Sequence, residues 1–262
     1  MDFELVLVLA TAVAGLIWLV DACFFARRRR ANSAGGKRGK PADPVIVEYA
    51  RSFFPVLLIV LVLRSFVAEP FRIPSESMLP TLEVGDFILV SKYSYDVRLP
   101  VTQSRIFETN SPERGDVAVF RYPVDPTINY IKRIVGLPGD QVAYYDQQLF
   151  INGEPVRTEE VGPYVVPGGQ PVEGRMLEYA EWLNGVQHAV VVNPDRQALE
   201  GEFVVPDGHY FAIGDNRNYS NDSRRWGYVP QENLVGHARM IWMNWNWQDG
   251  GIDWSRIGES IR

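Results

Sequence analysis

Two serines one residue apart, Ser75 and Ser77, stand in "PSESMLPTL" with Pro74 and Pro80 on either side. Proline fixes φ and ends regular hydrogen bonding, so the stretch reads as a stiff elbow that presents its side chains in one direction. A serine hydroxyl is a poor nucleophile until a base takes its proton. The chain has 3 histidines, His188, His209 and His237, and a Ser-His-Asp set could draw on His209 and Asp215. None of these stands in a recognisable hydrolase motif. Lysine is the other candidate base, since Ser-Lys pairs are a known variant of triad chemistry. "YIKRIVGLPGD" places Lys132 in an apolar strand, where alternation gives it the face of Tyr130 and Ile134 and turns Ile131 and Arg133 the other way. In isolation such a lysine would snorkel to the surface; on a buried face the ammonium is disfavoured, and the Lys132 pKa should then fall towards the range in which the amine can accept a proton.

The elbow follows two apolar stretches. Residues 5–20 are uncharged, and with Asp21 at an interface the run continues to residue 26. At ~1.5 Å per residue that is about 33 Å of helix, enough to span a bilayer. The preceding Met-Asp-Phe-Glu has no positive charge and the basic cluster comes afterwards, which fits an uncleaved transmembrane helix better than a secretory signal. A lipoprotein signal ending at Cys23 fits poorly with Asp21 and Ala22 before it. Arg27, Arg28, Arg29 and Arg30, then Lys37, Arg38 and Lys40, form a short basic loop of the kind retained on the cytoplasmic side. A second span covers 49–68, with Arg64 able to snorkel. The expected division is a transmembrane helix at 1–26, a cytoplasmic loop at 27–48 and a second helix at 49–68. The N-terminus and everything after Glu69 then lie outside.

A net charge of −6 gives no electrostatic case for nucleic-acid binding, and a single cysteine, Cys23, rules out an internal disulfide. There is no Walker A loop, HExxH or CxxC pair, so nothing points to a nucleotide or structural zinc site. Beyond Glu69 the pattern is mainly β: 86–93, 116–122, 129–137 and 210–213 are rich in Val, Ile and aromatics and bounded by Gly, Pro and Asp. "LFINGEPV" carries Asn-Gly between apolar flanks, a hairpin signal. Residues 141–208 are looser and read as an inserted β subdomain without evident chemistry, dividing a catalytic core of 69–140 and 209–262. Near the end, Trp242 reads as core packing. Alternation puts Trp245 and Trp247 on one face, where indoles suit a membrane interface.

The order of "PSESMLPTLEVGDFILVSKYSY", "RGDVAVF", "NYIKRIVGLPGD" and "GDNRNYSNDSRRWGYVP" resembles the bacterial type I signal peptidases, over most of the chain except the insertion. The resemblance implies a mainly β serine endopeptidase behind two transmembrane helices, with an extracytoplasmic antiparallel catalytic domain. It implies Ser77 as nucleophile, Lys132 as general base and Ser75 as a hydroxyl donor to the oxyanion beside the Ser77 N–H. Ser220 would orient the lysine, Asp222 and Arg224 would support it as an ion pair, and Gly214 would leave it room. Phe71, Ile73, Pro74, Leu82, Tyr130 and Ile131 would line the extended substrate and its shallow pockets. Glu76 stands where some members have Gly and should point away from the nucleophile. Asn218, Tyr219 and Arg225 depart from one common form of the last motif. No metal or other cofactor is implied. The partners would be exported preproteins, membrane lipid and transiently the secretion machinery, with the protein in the cytoplasmic (inner) membrane. Self-cleaving repressors share the Ser-Lys arrangement but carry a DNA-binding domain, where this chain has two spans. A non-enzymatic anchored β module that binds exported chains is the reading from another class.

Overall fold

The computed structural model describes residues 3–33, 43–102, 104–166, 175–245 and 251–262. The chain forms two compact units, Met1–Val67 with Val97–Phe107, and Ala68–Asp96 with Glu108–Arg262.

In the first unit, α1 (Phe3–Val20) runs through a π-helical turn at Asp21–Phe25 into α2 (Ala26–Ser33), and α3 (Val45–Val62) runs into a second π turn at Leu63–Val67. The helical stretches Phe3–Arg29 and Val45–Val67 have 27 and 23 residues with mean hydropathies of 2.4 and 2.1, long and apolar enough to cross a membrane. They pack where side chains are small: a Cβ on Gly15 would lie 2.7 Å from the Phe54 ring, and Trp18 meets the same ring at 5.5 Å. Arg64 does not stand alone, for its guanidinium lies 4.3 Å over the Phe3 ring. Asp21 is buried against Arg29, which also bonds Asp43 at 2.9 Å. The second helix starts at Val45, a few residues before the stretch read from hydropathy alone.

The second unit is antiparallel β; of the described strands only the pair Asp96–Arg98 and Arg105–Glu108 falls largely in the first unit. In chain order the strands are β1 (Ala68–Arg72), β2 (Asp86–Ser91), β3 (Asp96–Arg98), β4 (Arg105–Glu108), β5 (Val117–Arg121), β6 (Asn129–Gly136), β7 (Gln141–Tyr145) and β8 (Gln148–Ile151). They continue with β9 (Glu154–Pro155), β10 (Thr158–Pro163), β11 (Leu177–Leu183), β12 (Val186–Val192), β13 (Gly201–Val204), β14 (His209–Ile213), β15 (Val229–Pro230) and β16 (Leu234–Asn244). Seven strands make the main sheet in the order β1-β2-β16-β5-β6-β14-β15. Its central strand β5 is buried on both faces: Val117 and Val119 join Ile73, Met78, Leu82, Ile88 and Val90 in one core, while Ala118 and Phe120 join Ile134 and Ala212 in another. A strand covered on both sides reads as a continuous apolar run, which "VAVF" is.

The 141–208 region is ordered β structure among its described residues, with sheets β13-β7-β8-β9 and β10-β11-β12. Asn152 and Gly153 turn the expected hairpin with φ of 54° and 83°, the left-handed geometry of a two-residue turn. A second Asn-Gly turn, Asn184 and Gly185 with φ of 49° and 77°, joins β11 to β12. Val135, Val142, Tyr144, Leu149, Leu183 and Phe211 form one apolar cluster shared by the insertion and the main sheet.

Trp242 is not core. It is 40% exposed and meets Phe87 edge-on at 5.9 Å. The register of β16 against β2 shifts between Ala238 and Met240 and again between Ile241 and Met243. Each extra residue reverses which face the following side chains take, so simple alternation fails there. Trp245 is 37% exposed, and Trp247 lies outside the described residues.

Candidate active site

The elbow between β1 and β2 and the strand β6 meet at one pair of atoms. Lys132 Nζ lies 2.6 Å from Ser77 Oγ, and it donates a second bond to the Ile131 carbonyl at 2.8 Å. Both residues are buried, Ser77 at 8% and Lys132 at 4% exposure. Burial lowers the Lys132 pKa to about 8, against the opposing pull of the Asp222 and Asp215 carboxylates. The alternation read from the sequence holds: Lys132 Nζ sits 5.5 Å over the Tyr130 ring, with small Ala118 as its cross-strand partner. Ser75 Oγ is 3.4 Å from Ser77 Oγ on the exposed side of the elbow.

A groove of about 750 Å³ opens over this pair, walled by Pro74, Ser75, Val84, Ile128, Tyr130, Ile131 and Tyr219 among others. Of the six expected substrate-contacting residues, Pro74, Tyr130 and Ile131 line it. Ile73 and Leu82 instead lie in the core beneath, and Phe71 packs against that core. Tyr130 is held by a 4.2 Å stack on Tyr122 and by Asn221, whose Nδ2 bonds its hydroxyl at 3.2 Å.

The supporting residues come from the segment after β14. Asp222 caps the short helix Ser223–Trp226, accepting from the Arg224 N–H, and pairs with the Arg224 guanidinium at 2.9 and 2.7 Å. It also accepts from the Gly214 N–H at 3.1 Å. A Cβ on Gly214 would collide with Ser220 Oγ and the Ser77 carbonyl, so the close approach of this segment to the elbow requires glycine. Ser220 is buried beside Asp222, whose charge its hydroxyl helps to hold, and it makes no bond to Lys132. The histidines are elsewhere: His188 lies against Glu181, His209 against the Asp207 carbonyl and His237 near Asp116. Asp215 is engaged by arginine, so the alternative triad does not assemble.

That arginine is a feature the sequence reading passed over. Arg133, 1% exposed, pairs with Asp215 through Nε at 2.8 Å and NH2 at 2.7 Å, and Thr81 Oγ1 donates to the same carboxylate at 2.6 Å. Burial opposes the Asp215 charge, but Arg133 outweighs it and holds its pKa below the usual range. Asn216 reaches the elbow itself: its N–H donates to the Ser77 carbonyl at 3.2 Å and its Nδ2 to the Glu76 carbonyl at 3.1 Å. The signal was available, since an arginine in an apolar strand must find a carboxylate.

A serine hydroxyl touching a buried, easily neutralised amine is the centre of a serine peptidase that uses lysine in place of histidine. Residues 46–245 match the family described as signal peptidase, peptidase S26. A signal peptidase I of Pseudomonas fluorescens is 50% identical over 94% of this chain and 93% of its own length. Another of Pseudomonas aeruginosa is 48% identical over the same shares. A solved signal peptidase I of Enterococcus faecalis is 29% identical, covering 50% of this chain and 98% of that one, with a TM-score of 0.31. The chain belongs to the signal peptidase, peptidase S26, family.

Proposed function

We propose that the protein is a membrane-anchored serine endopeptidase that removes N-terminal signal peptides from exported preproteins, with Ser77 as nucleophile and Lys132 as general base. The carrying observation is the 2.6 Å contact between Lys132 Nζ and Ser77 Oγ, both out of solvent. In the reactive state the amine is neutral and accepts the Ser77 hydroxyl proton as Oγ attacks the scissile carbonyl. The Ser75 hydroxyl and the Ser77 N–H donate to the oxyanion. The ammonium that forms, favoured by the Asp222 and Asp215 charges, gives its proton to the departing amine. This leaves an acyl-enzyme on Ser77. Water then attacks with Lys132 again as base, releasing the signal peptide's carboxylate. Ser220, buried against Gly214 and Asp222, orients the amine. The substrate lies extended along the groove beside Pro74, Tyr130 and Ile131, and the cut follows small side chains.

The protein lies in the cytoplasmic membrane with the basic loop inside and the β domain outside. This is supported by the two long apolar helices and by the arginines at the end of the first of them. The secretion machinery delivers the substrate transiently. Cleavage of a purified preprotein in detergent tests the central statement. The parent should release the mature chain while Ser77→Ala and Lys132→Met should not. Binding of the preprotein without cleavage by the parent would make the protein an anchored binding module instead.

A further inference from the structure

We propose that the inserted β strands position the nucleophile, with Glu181 holding the 215–219 loop through Arg217 so that Asn216 fixes the Ser77 peptide. This builds on Ser77 as nucleophile and assigns a task to the 141–208 region. Every residue of that loop is engaged from the insertion. The Val191 N–H donates to the Asp215 carbonyl at 2.9 Å, and Val191 forms a β-bridge with Asn216. The Glu181 carboxylate accepts both terminal nitrogens of Arg217, at 2.9 and 2.5 Å. The Asn193 N–H donates to Asn218 Oδ1 at 2.8 Å, and its Nδ2 donates to the Tyr219 hydroxyl at 2.9 Å. On its other side the loop grips the site: Asn216 holds the Ser77 and Glu76 carbonyls, Asp215 holds Arg133 and Thr81, and the Arg217 carbonyl accepts from Arg224 at 2.6 Å.

Physical chemistry gives the bridge this role in preference to stability alone. Glu181 and Arg217 side chains are 0% and 2% exposed, and taking two such charges out of water offsets most of their attraction. What a buried bidentate pair supplies is a fixed direction and distance, because the guanidinium fork meets both carboxylate oxygens at once. His188, 3.1 Å from Glu181 Oε1, bonds the same carboxylate from the neighbouring strand and limits its rotation. Misplacement of a nucleophile by about 1 Å is enough to cost on the order of 10²-fold in rate.

The test compares steady-state cleavage of a preprotein by the full-length parent, Glu181→Asp, and the pair Glu181→Leu with Arg217→Met, alongside circular dichroism melts in the same detergent. Glu181→Asp keeps the charge and shortens the reach by one methylene. The double variant replaces the ion pair by apolar groups of similar volume, an exchange that commonly leaves stability unchanged or raised. The expected result is kcat lowered about 10- to 10²-fold in both variants. KM should stay within about twofold and the melts should show a folded chain. Should one variant fail to fold, the other decides. Parental kcat in a folded variant, or a loss confined to KM, overturns the proposal. A parent that does not cleave, or that cleaves without Ser77, would instead overturn the assignment of the nucleophile.

Discussion

Replacing Lys132 by Met separates the amine's charge from its bulk, and the consequence for stability depends on pH in a calculable way. Burial lowers the Lys132 pKa from 10.5 to about 8. In the unfolded chain the amine returns to its ordinary value. Between about pH 8 and pH 10.5 the unfolded state therefore binds a proton that the folded state does not, and stability rises with pH across that window. Below pH 8 the folded protein carries the full penalty of a buried ammonium. At ~1.36 kcal/mol per unit, a shift of about 2.5 units amounts to about 3 kcal/mol. Methionine has no charge to desolvate, so the stability of Lys132→Met relative to the parent should fall by about 3 kcal/mol between pH 7 and pH 11. The lost bonds to Ser77 and Ile131 displace that difference at every pH by about 1 kcal/mol each, without changing its slope. Denaturant titrations in detergent at several pH values measure it, and parental kcat/KM should rise along a limb centred near 8. A pH-independent difference between variant and parent would show that Lys132 titrates normally. It would then be a cation at neutral pH and could not serve as the base.

Ser75→Ala should lower kcat by about 10²- to 10³-fold with KM little changed, the usual cost of one oxyanion donor, and steady-state cleavage of a preprotein measures it. Gly214→Ala drives a methyl into Ser220 and the Ser77 carbonyl; it should destabilise by about 1–3 kcal/mol and reduce kcat, read from melts and turnover of the folded fraction. Protease added to spheroplasts should digest the β domain and spare the 27–40 loop, and protection of the domain would reverse the proposed orientation.

What was legible in the sequence and what was not divide by the range of the interactions. The elbow, the Lys132 strand and the Asn152–Gly153 hairpin obey local rules of proline geometry, alternation and turn chemistry, and each is found where those rules put it. Asn184–Gly185 obeys the same turn rule and carries the same dipeptide between apolar flanks, so the β11–β12 hairpin could have been found; the loose composition around it obscured the signal. Trp242 was misread because two bulges interrupt β16, and no local residue pattern announces a bulge that only a partner strand's register creates. Arg133–Asp215 and Arg217–Glu181 are of a third kind, joining residues 82 and 36 apart. Sequence shows that such arginines must be neutralised but not by which acid, because the chain's 32 acidic residues offer many partners and only the fold chooses among them. Ser77 and Lys132 thus sit in short, rule-bound segments that can be recognised singly. The contacts around those segments are long-range, and they join the inserted strands, the 215–219 loop and the elbow by hydrogen bonds and ion pairs. Substitutions at Glu181 or Arg217 should therefore act on turnover although neither residue touches Ser77 or Lys132.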